Sequence, residues 1–175
     1  MFLKSFPNAL RAALLACASL AAQAAPSPLP DRVQVSWAPT EKLSEVRDNQ
    51  MQRGWLRPEE WMKQLSDELR RRADRVLPAG QQLQVSINDI KLAGAFEPWR
   101  RDNQQDIRFM KDIYPPRIEL HYKLLAADGS TIREGDAKLR DGAYLQRSIG
   151  TSTDPLRYDK RMLAEWVNKG FRNKD

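Results

Sequence analysis

The chain is predicted to fold as an α+β two-layer sandwich, an antiparallel sheet of about four strands with two helices on one face. Three observations carry that reading. Two segments place apolar residues at three- and four-residue spacing, and several short segments alternate apolar and polar with period two. The composition is that of a globular chain, 41% apolar and 30% charged over 175 residues. One Cys and one His exclude a disulfide framework and a Cys/His zinc module. The element order reads β-α-β-β-β-α.

The first 24 residues stand apart from the fold. Lys4 and Arg11 form a basic start, an Ala- and Leu-rich run from Ala12 to Ala22 follows, and Ala22-Gln23-Ala24 supplies a small-x-small cleavage pattern. The run is too short for the ~20 residues that a membrane helix needs. It reads as an export signal cut after Ala24, which implies a periplasmic protein. Cleavage removes Lys4, Arg11 and Cys17, so the formal charge falls from +6 to +4. An alternative processing site is Leu14-Leu15-Ala16-Cys17, which loosely matches a lipobox and would anchor a lipoprotein at Cys17. Residues 25–30 form a Pro-rich linker, residues 31–170 the folded domain and residues 171–175 a polar tail.

Within the domain, Val33 to Trp37 alternates as the first strand, ended by Ala38-Pro39. Residues 40–54 read as a polar loop with one helical turn near Thr40 to Leu43. Pro58, Glu59 and Glu60 open the first helix, suiting its N-terminal dipole. Trp61, Met62, Leu65, Leu69, Ala73, Val76 and Leu77 form its apolar face. Asp67–Arg71 and Glu68–Arg72 are pairs on the other side, and Pro78-Ala79-Gly80 stops it. Leu83, Val85 and Ile87 alternate, then Ile90 and Leu92 in shifted phase, which calls for a β-bulge at Asn88-Asp89. Ile118, Leu120, Tyr122 and Leu124 define a strand whose other face is Arg117, Glu119, His121 and Lys123, a wet face. Asp128-Gly129 is a hairpin turn. Thr131 to Leu139 returns, with Gly135 a candidate bulge. Asp154 and Pro155 begin the last helix, Leu156, Leu163, Trp166 and Val167 form its stripe, and Gly170 ends it.

Catalytic signatures are sparse. No mature Cys, nucleophile elbow or phosphate-binding glycine motif occurs. His121 falls on a wet strand face, and a single His makes no ordinary metal site. No catalytic residue, metal or cofactor is assigned. Asp102, Asp106 and Asp112 are carboxylates of a polar stretch; a carboxylate-dependent hydrolase acting on envelope polymers would need two of them facing across a cleft. Arg70, Arg71, Arg72 and Arg75 are balanced by acids one turn away. Export and a charge of only +4 argue against nucleic acid.

Residues 94–117, GAFEPWRRDNQQDIRFMKDIYPPR, are the most unusual stretch. They lack strong periodicity over a length uncommon inside a compact domain, although Ile107 and Phe109 alternate as an extension of the following strand. They concentrate Trp and Arg, the side chains that dominate interfaces. Trp99 is the candidate apolar anchor, Arg100, Arg101 and Arg117 the candidate contacts to acidic groups, and Tyr114 a contact with a hydroxyl. The expected role is a non-enzymatic binding module for an envelope protein or ligand; the alternative is a lipid-anchored assembly factor. Nothing in the sequence reads out the oligomeric state.

Several segments in order carry a resemblance: VQVSWA from Val33, LPAGQQL from Leu77, GAFEPWR from Gly94, KDIYPPRIEL from Lys111, KLRD from Lys138 and DPLRYDKR from Asp154. Together they resemble domain-of-unknown-function family 3016 across roughly residues 31–170. The resemblance implies an exported envelope protein of a Gram-negative bacterium and supplies no activity or catalytic residue.

Overall fold

The structure is a computed structural model, and it describes residues 32–50, 57–100, 104–147 and 152–172. The export signal, Cys17, the linker, Arg101 and Asp102 lie outside the described residues.

Among the described residues, six strands and three α-helices follow one another as β1 (Val33–Trp37), α1 (Ser44–Asp48), α2 (Pro58–Val76), β2 (Gln82–Lys91), β3 (Ala95–Phe96), β4 (Arg108–Phe109), β5 (Arg117–Leu125), β6 (Thr131–Arg140) and α3 (Arg157–Phe171). The main sheet has the order β1-β2-β5-β6, and β3 pairs with β4 in a separate two-stranded ribbon. This is the α+β layer arrangement, with one correction. The sheet is mixed, because β1 runs parallel to β2 while β2–β5 and β5–β6 are antiparallel. The reason is the connection. A crossover containing α2 returns the chain to the end of the sheet where β1 began, which parallel pairing requires.

The apolar face of α2 behaves as its spacing demands. Trp61, Met62, Leu65, Leu69 and Ala73 are buried against Val33, Leu83, Val85, Ile87, Ile118 and Leu120 from the sheet and Leu163 and Val167 from α3. Pro58 sits at the helix start, and the Glu60 side chain reaches back to the Arg57 N–H at 3.3 Å. At the other end Arg32 donates to the Leu77 and Pro78 carbonyls at 3.2 and 2.9 Å and pairs with Asp74. A cation thus satisfies the carbonyls that every helix C-terminus leaves open. On the outer face Glu68 takes both Arg71 and Arg72, at 3.3 and 2.7 Å, while Asp67 turns to Lys63 at 2.7 Å. The expected Asp67–Arg71 pair gives way to these neighbours.

The bulge lies where the phase slip required it, between Ile87 and Asp89. It has a structural use. The re-aimed Asp89 carboxylate accepts the Ser44 backbone N–H and hydroxyl, both at 2.7 Å, and so caps α1 from outside the helix. That helix occupies part of what reads as a polar loop. The hairpin turn at Asp128-Gly129 forms, with Gly129 at φ 83°.

Three further details depart from the expected pattern. Gly135 sits opposite Tyr122 in regular pairing, and the β5–β6 irregularity falls at Leu124/Leu125 instead. The glycine leaves the Tyr122 ring open to pack edge-on against Trp166 and Phe171, with centroids 5.7 and 5.6 Å away. Asp154 accepts the Leu156 N–H at 2.8 Å, yet α3 proper begins at Arg157 and runs through Gly170 to Phe171. Phe171 is buried in the core, so the polar tail begins after it.

At Gly94 a positive φ coincides with close packing on both sides. This glycine has φ 79°, and a Cβ there would stand 2.8 Å from the Phe109 carbonyl oxygen and the Met110 sulfur. Gly94→Ala is therefore expected to cost more than the ~1–2 kcal/mol of left-handed strain alone, whereas Gly135→Ala, whose Cβ would meet only the Tyr122 side chain at 3.6–3.8 Å, should change stability by less than about 1 kcal/mol. Urea unfolding of the two variants checks the contrast; equal losses would refute it.

Candidate functional site

The 94–117 segment folds over the end of the main sheet as a braced loop. The ribbon pairs Ala95 with Phe109 and Phe96 with Arg108, so residues 107 and 109 do not extend β5. The Gly94 N–H donates to the Tyr114 carbonyl at 2.9 Å, closing the base of the segment.

Two buried acids pair with cations of the segment, and a third, Asp159, holds the residue just before it. The first is Glu45 of α1, 3% exposed. Its carboxylate takes the Arg108 guanidinium in a two-point grip at 2.6 and 3.2 Å and accepts the Leu92 N–H at 2.9 Å. Arg108 also donates to the carbonyls of Ala93, Leu92 and Gly94 at 2.7, 3.0 and 3.0 Å. Nearby, Asp159 of α3 accepts the Ala93 N–H at 3.0 Å. It is fully buried, and its other oxygen has no hydrogen-bond partner among the described residues. Burial pushes its carboxyl up to about 7, against the opposing pull of the Ala93 N–H and of Arg108, with Glu45 adding to the rise.

The second is Glu97. It receives Lys111 at 2.5 Å, Arg100 at 2.5 Å and the Tyr114 hydroxyl at 3.0 Å. These hydrogen bonds, Lys111 first and Arg100 next, hold its carboxyl down at about 2. Glu97 is covered by these side chains rather than sunk in the main core. Arg100 also lies over the Phe109 ring at 4.2 Å. Behind the loop, Tyr144 and Tyr158 meet edge-on at 4.8 Å, and the Tyr144 hydroxyl donates to the Lys111 carbonyl at 2.8 Å. Burial raises that phenol to about 12, so it remains a donor at any physiological pH.

The sequence-derived residues therefore divide. Trp99 stands out at 71% exposed. Arg100 and Tyr114 turn inward onto Glu97 and shape the loop. Arg117 lies apart, exposed at the start of β5. Arg101 lies outside the described residues. The residues that organise the segment are Glu45, Glu97, Arg108 and Asp159, which sequence reasoning missed. One signal was present: Asp159 falls in step with Leu156 and Leu163 on the apolar stripe of α3, where a carboxylate is out of place. Glu45 carries no such mark.

The open sheet face is charge-paired around His121. His121 sits between Asp136 and Glu134 at 2.9 and 3.1 Å, and hydrogen bonding to Asp136, then Glu134, raises its pKa. It borders a broad concavity of about 920 Å³ on the open sheet face, floored by Ser36, Ser86, Gln34 and Gln84. Among the described residues no group of three or more His, Cys, Asp or Glu side chains is placed to hold a metal ion, and no helix is long and apolar enough to cross a membrane.

Two outcomes test the bracing. Arg108→Ala leaves Glu45 buried without its partner and should cost about 3–5 kcal/mol, with amide exchange at Leu92 and Ala93 accelerating first; a loss under about 1 kcal/mol would show that the grip is dispensable. Asp159 predicts a pH signature. The folded state holds this proton more tightly than the unfolded chain, so its contribution makes stability decline as pH rises from 3.8 to about 7. Asp159→Asn keeps the acceptor for Ala93 and should remove that decline. Unfolding curves that stay parallel across this range for parent and variant would contradict the assignment.

No curated protein and no solved structure matches the chain. One family model does match, described as a protein of unknown function, DUF3016, and it spans residues 31–169. That span runs from the start of β1 into the last turn of α3 and includes every brace of the exposed loop. The chain belongs to the DUF3016 family.

Proposed function

We propose that the protein is an exported, non-enzymatic binding module that presents Trp99 to a partner in the cell envelope. The observation that carries the reading is an exposed Trp set between the partners of a close ion pair. A Trp side chain that is 71% exposed projects from a loop whose neighbours on either side, Glu97 and Arg100, are tied together at 2.5 Å. An aromatic anchor on a preorganised loop buries large area on contact while losing little conformational entropy. Ile107, later in the same segment, is also half exposed. The sequence pattern of residues 1–24, read as an export signal, supports an envelope compartment.

The hydrolase alternative has little to work with. The most buried carboxylates among the described residues, Asp159, Glu97 and Glu45, are 0%, 2% and 3% exposed and covered from a polymer, while Asp106 and Asp112 are exposed.

Trp99→Ala is expected to leave the melting temperature within about 2 °C of the parent, since surface substitutions usually act within ±0.5 kcal/mol. A photo-crosslinking residue at position 99, in cells with an intact envelope, should yield a discrete adduct that the same residue at Arg75 on the outer face of α2 does not. Unfolding of Trp99→Ala, or identical adduct patterns at both positions, would overturn the reading.

A further inference from the structure

The register of the sheet puts three cations in one line. Lys91 of β2 stands opposite Arg117 of β5, and Arg117 stands opposite Arg140 of β6. Like charges directly opposite one another destabilise a sheet. Elsewhere on this face β5 and β6 pair opposite signs: Lys123 meets Glu134, His121 meets Asp136, and Glu119 meets Lys138 at 3.4 Å, although Glu119 also faces Asp89 across to β2. The last row breaks the pattern. Lys91 is answered by Asp48 at 2.6 Å. Arg117 and Arg140 have no carboxylate partner among the described residues, and the acid next in sequence, Asp141, is committed to Arg161 at 2.9 Å.

This row also borders a cleft of about 120 Å³, closed on its other side by Gly94, Ile113 and Tyr114. The base of the cleft is held by the Gly94–Tyr114 hydrogen bond, so it is a formed feature and not a gap between loose side chains. Its volume is far below the ~300–1,000 Å³ of a pocket for a whole small molecule. It suits one compact oxyanion, with the rest of a larger ligand outside. The side chain at the rim is Ile113, 72% exposed, which favours an apolar continuation.

By contrast, the basic groove between α2 and α3 is already neutralised: Arg71 and Arg72 share Glu68, and Lys160 holds Asp154 at 2.5 Å.

The geometry points to a phosphoryl-group binding site formed by Arg117 and Arg140, with Lys91 at its side. Two guanidinium groups offer the directed donor pairs that suit phosphate oxygens. The site is separate from the Trp99 surface, and its success or failure is independent of that reading: Trp99→Ala leaves it intact.

The test uses the protein as recovered from its producing cell. Inorganic phosphate is titrated while the Arg side-chain Nε–H resonances are followed by NMR, and in parallel the protein is mixed with vesicles of phosphatidylglycerol or of phosphatidylcholine at equal ionic strength. Saturable shifts at Arg117 and Arg140 in the parent, with the phosphate affinity read from the Gly94 and Tyr114 backbone amides weakened at least about 10-fold in R117Q/R140Q and unchanged in R75Q, support the site for a free oxyanion. Binding to phosphatidylglycerol vesicles alone, lost in the same double variant, supports it with the lipid headgroup as the source. Because the variant relieves like-charge repulsion, its melting temperature should equal or exceed the parent's. Absence of any saturable shift and of vesicle binding in the parent overturns the proposal whatever the variants do. An equal loss in R75Q reduces it to general charge attraction and overturns it as well.

Discussion

The fold of the 94–117 segment depends on one interaction, the grip of Glu45 on Arg108. Taking a guanidinium and a carboxylate out of water is costly, and the pair repays that cost only when its remaining hydrogen-bonding capacity is also used. Here it is used. Arg108 meets both Glu45 oxygens and three backbone carbonyls, while Glu45 also accepts the Leu92 N–H. One guanidinium thereby joins α1, the chain leaving β2 and the β3–β4 ribbon. These carbonyls and amides lie past the end of the main sheet, where no strand ladder is present to satisfy them.

The other devices of the molecule serve that junction. The bulge in β2 turns Asp89 toward Ser44 and so places α1, which carries Glu45. Asp159 reaches from α3 to the Ala93 N–H, tying the second layer to the same stretch of backbone. Glu97 then repeats the arrangement nearer the surface, with Lys111, Arg100 and Tyr114 in place of backbone groups. The result is a polar, hydrogen-bonded lobe beside an apolar core, with Trp99 exposed on it.

How far this was legible can be argued residue by residue. The apolar stripe of α2 and the alternation of β5 are periodic, and periodicity reports burial directly. The bulge was legible for the same reason, because one extra residue between Ile87 and Ile90 is what keeps both side chains on the buried face of a continuous strand. Direction was not legible: nothing in Val33–Trp37 says whether it pairs parallel or antiparallel with β2. The inward turn of Arg100 and Tyr114 was not legible either. A Trp–Arg-rich segment reads the same whether its arginines face solvent or fold back onto a glutamate three residues away.

The sequence by itself determined the layer architecture, the two long helices, the wet and dry faces of the sheet and the unusual character of residues 94–117, because each of these follows from local pattern and side-chain chemistry. Only the tertiary structure decided which charges are buried and which are left over. Glu45 and Arg108 are 63 residues apart in the chain, and the row of Lys91, Arg117 and Arg140 exists only through the register of three strands. Ion pairing and cross-strand repulsion act over a few ångströms of space, and no local pattern records which distant residues will share that space.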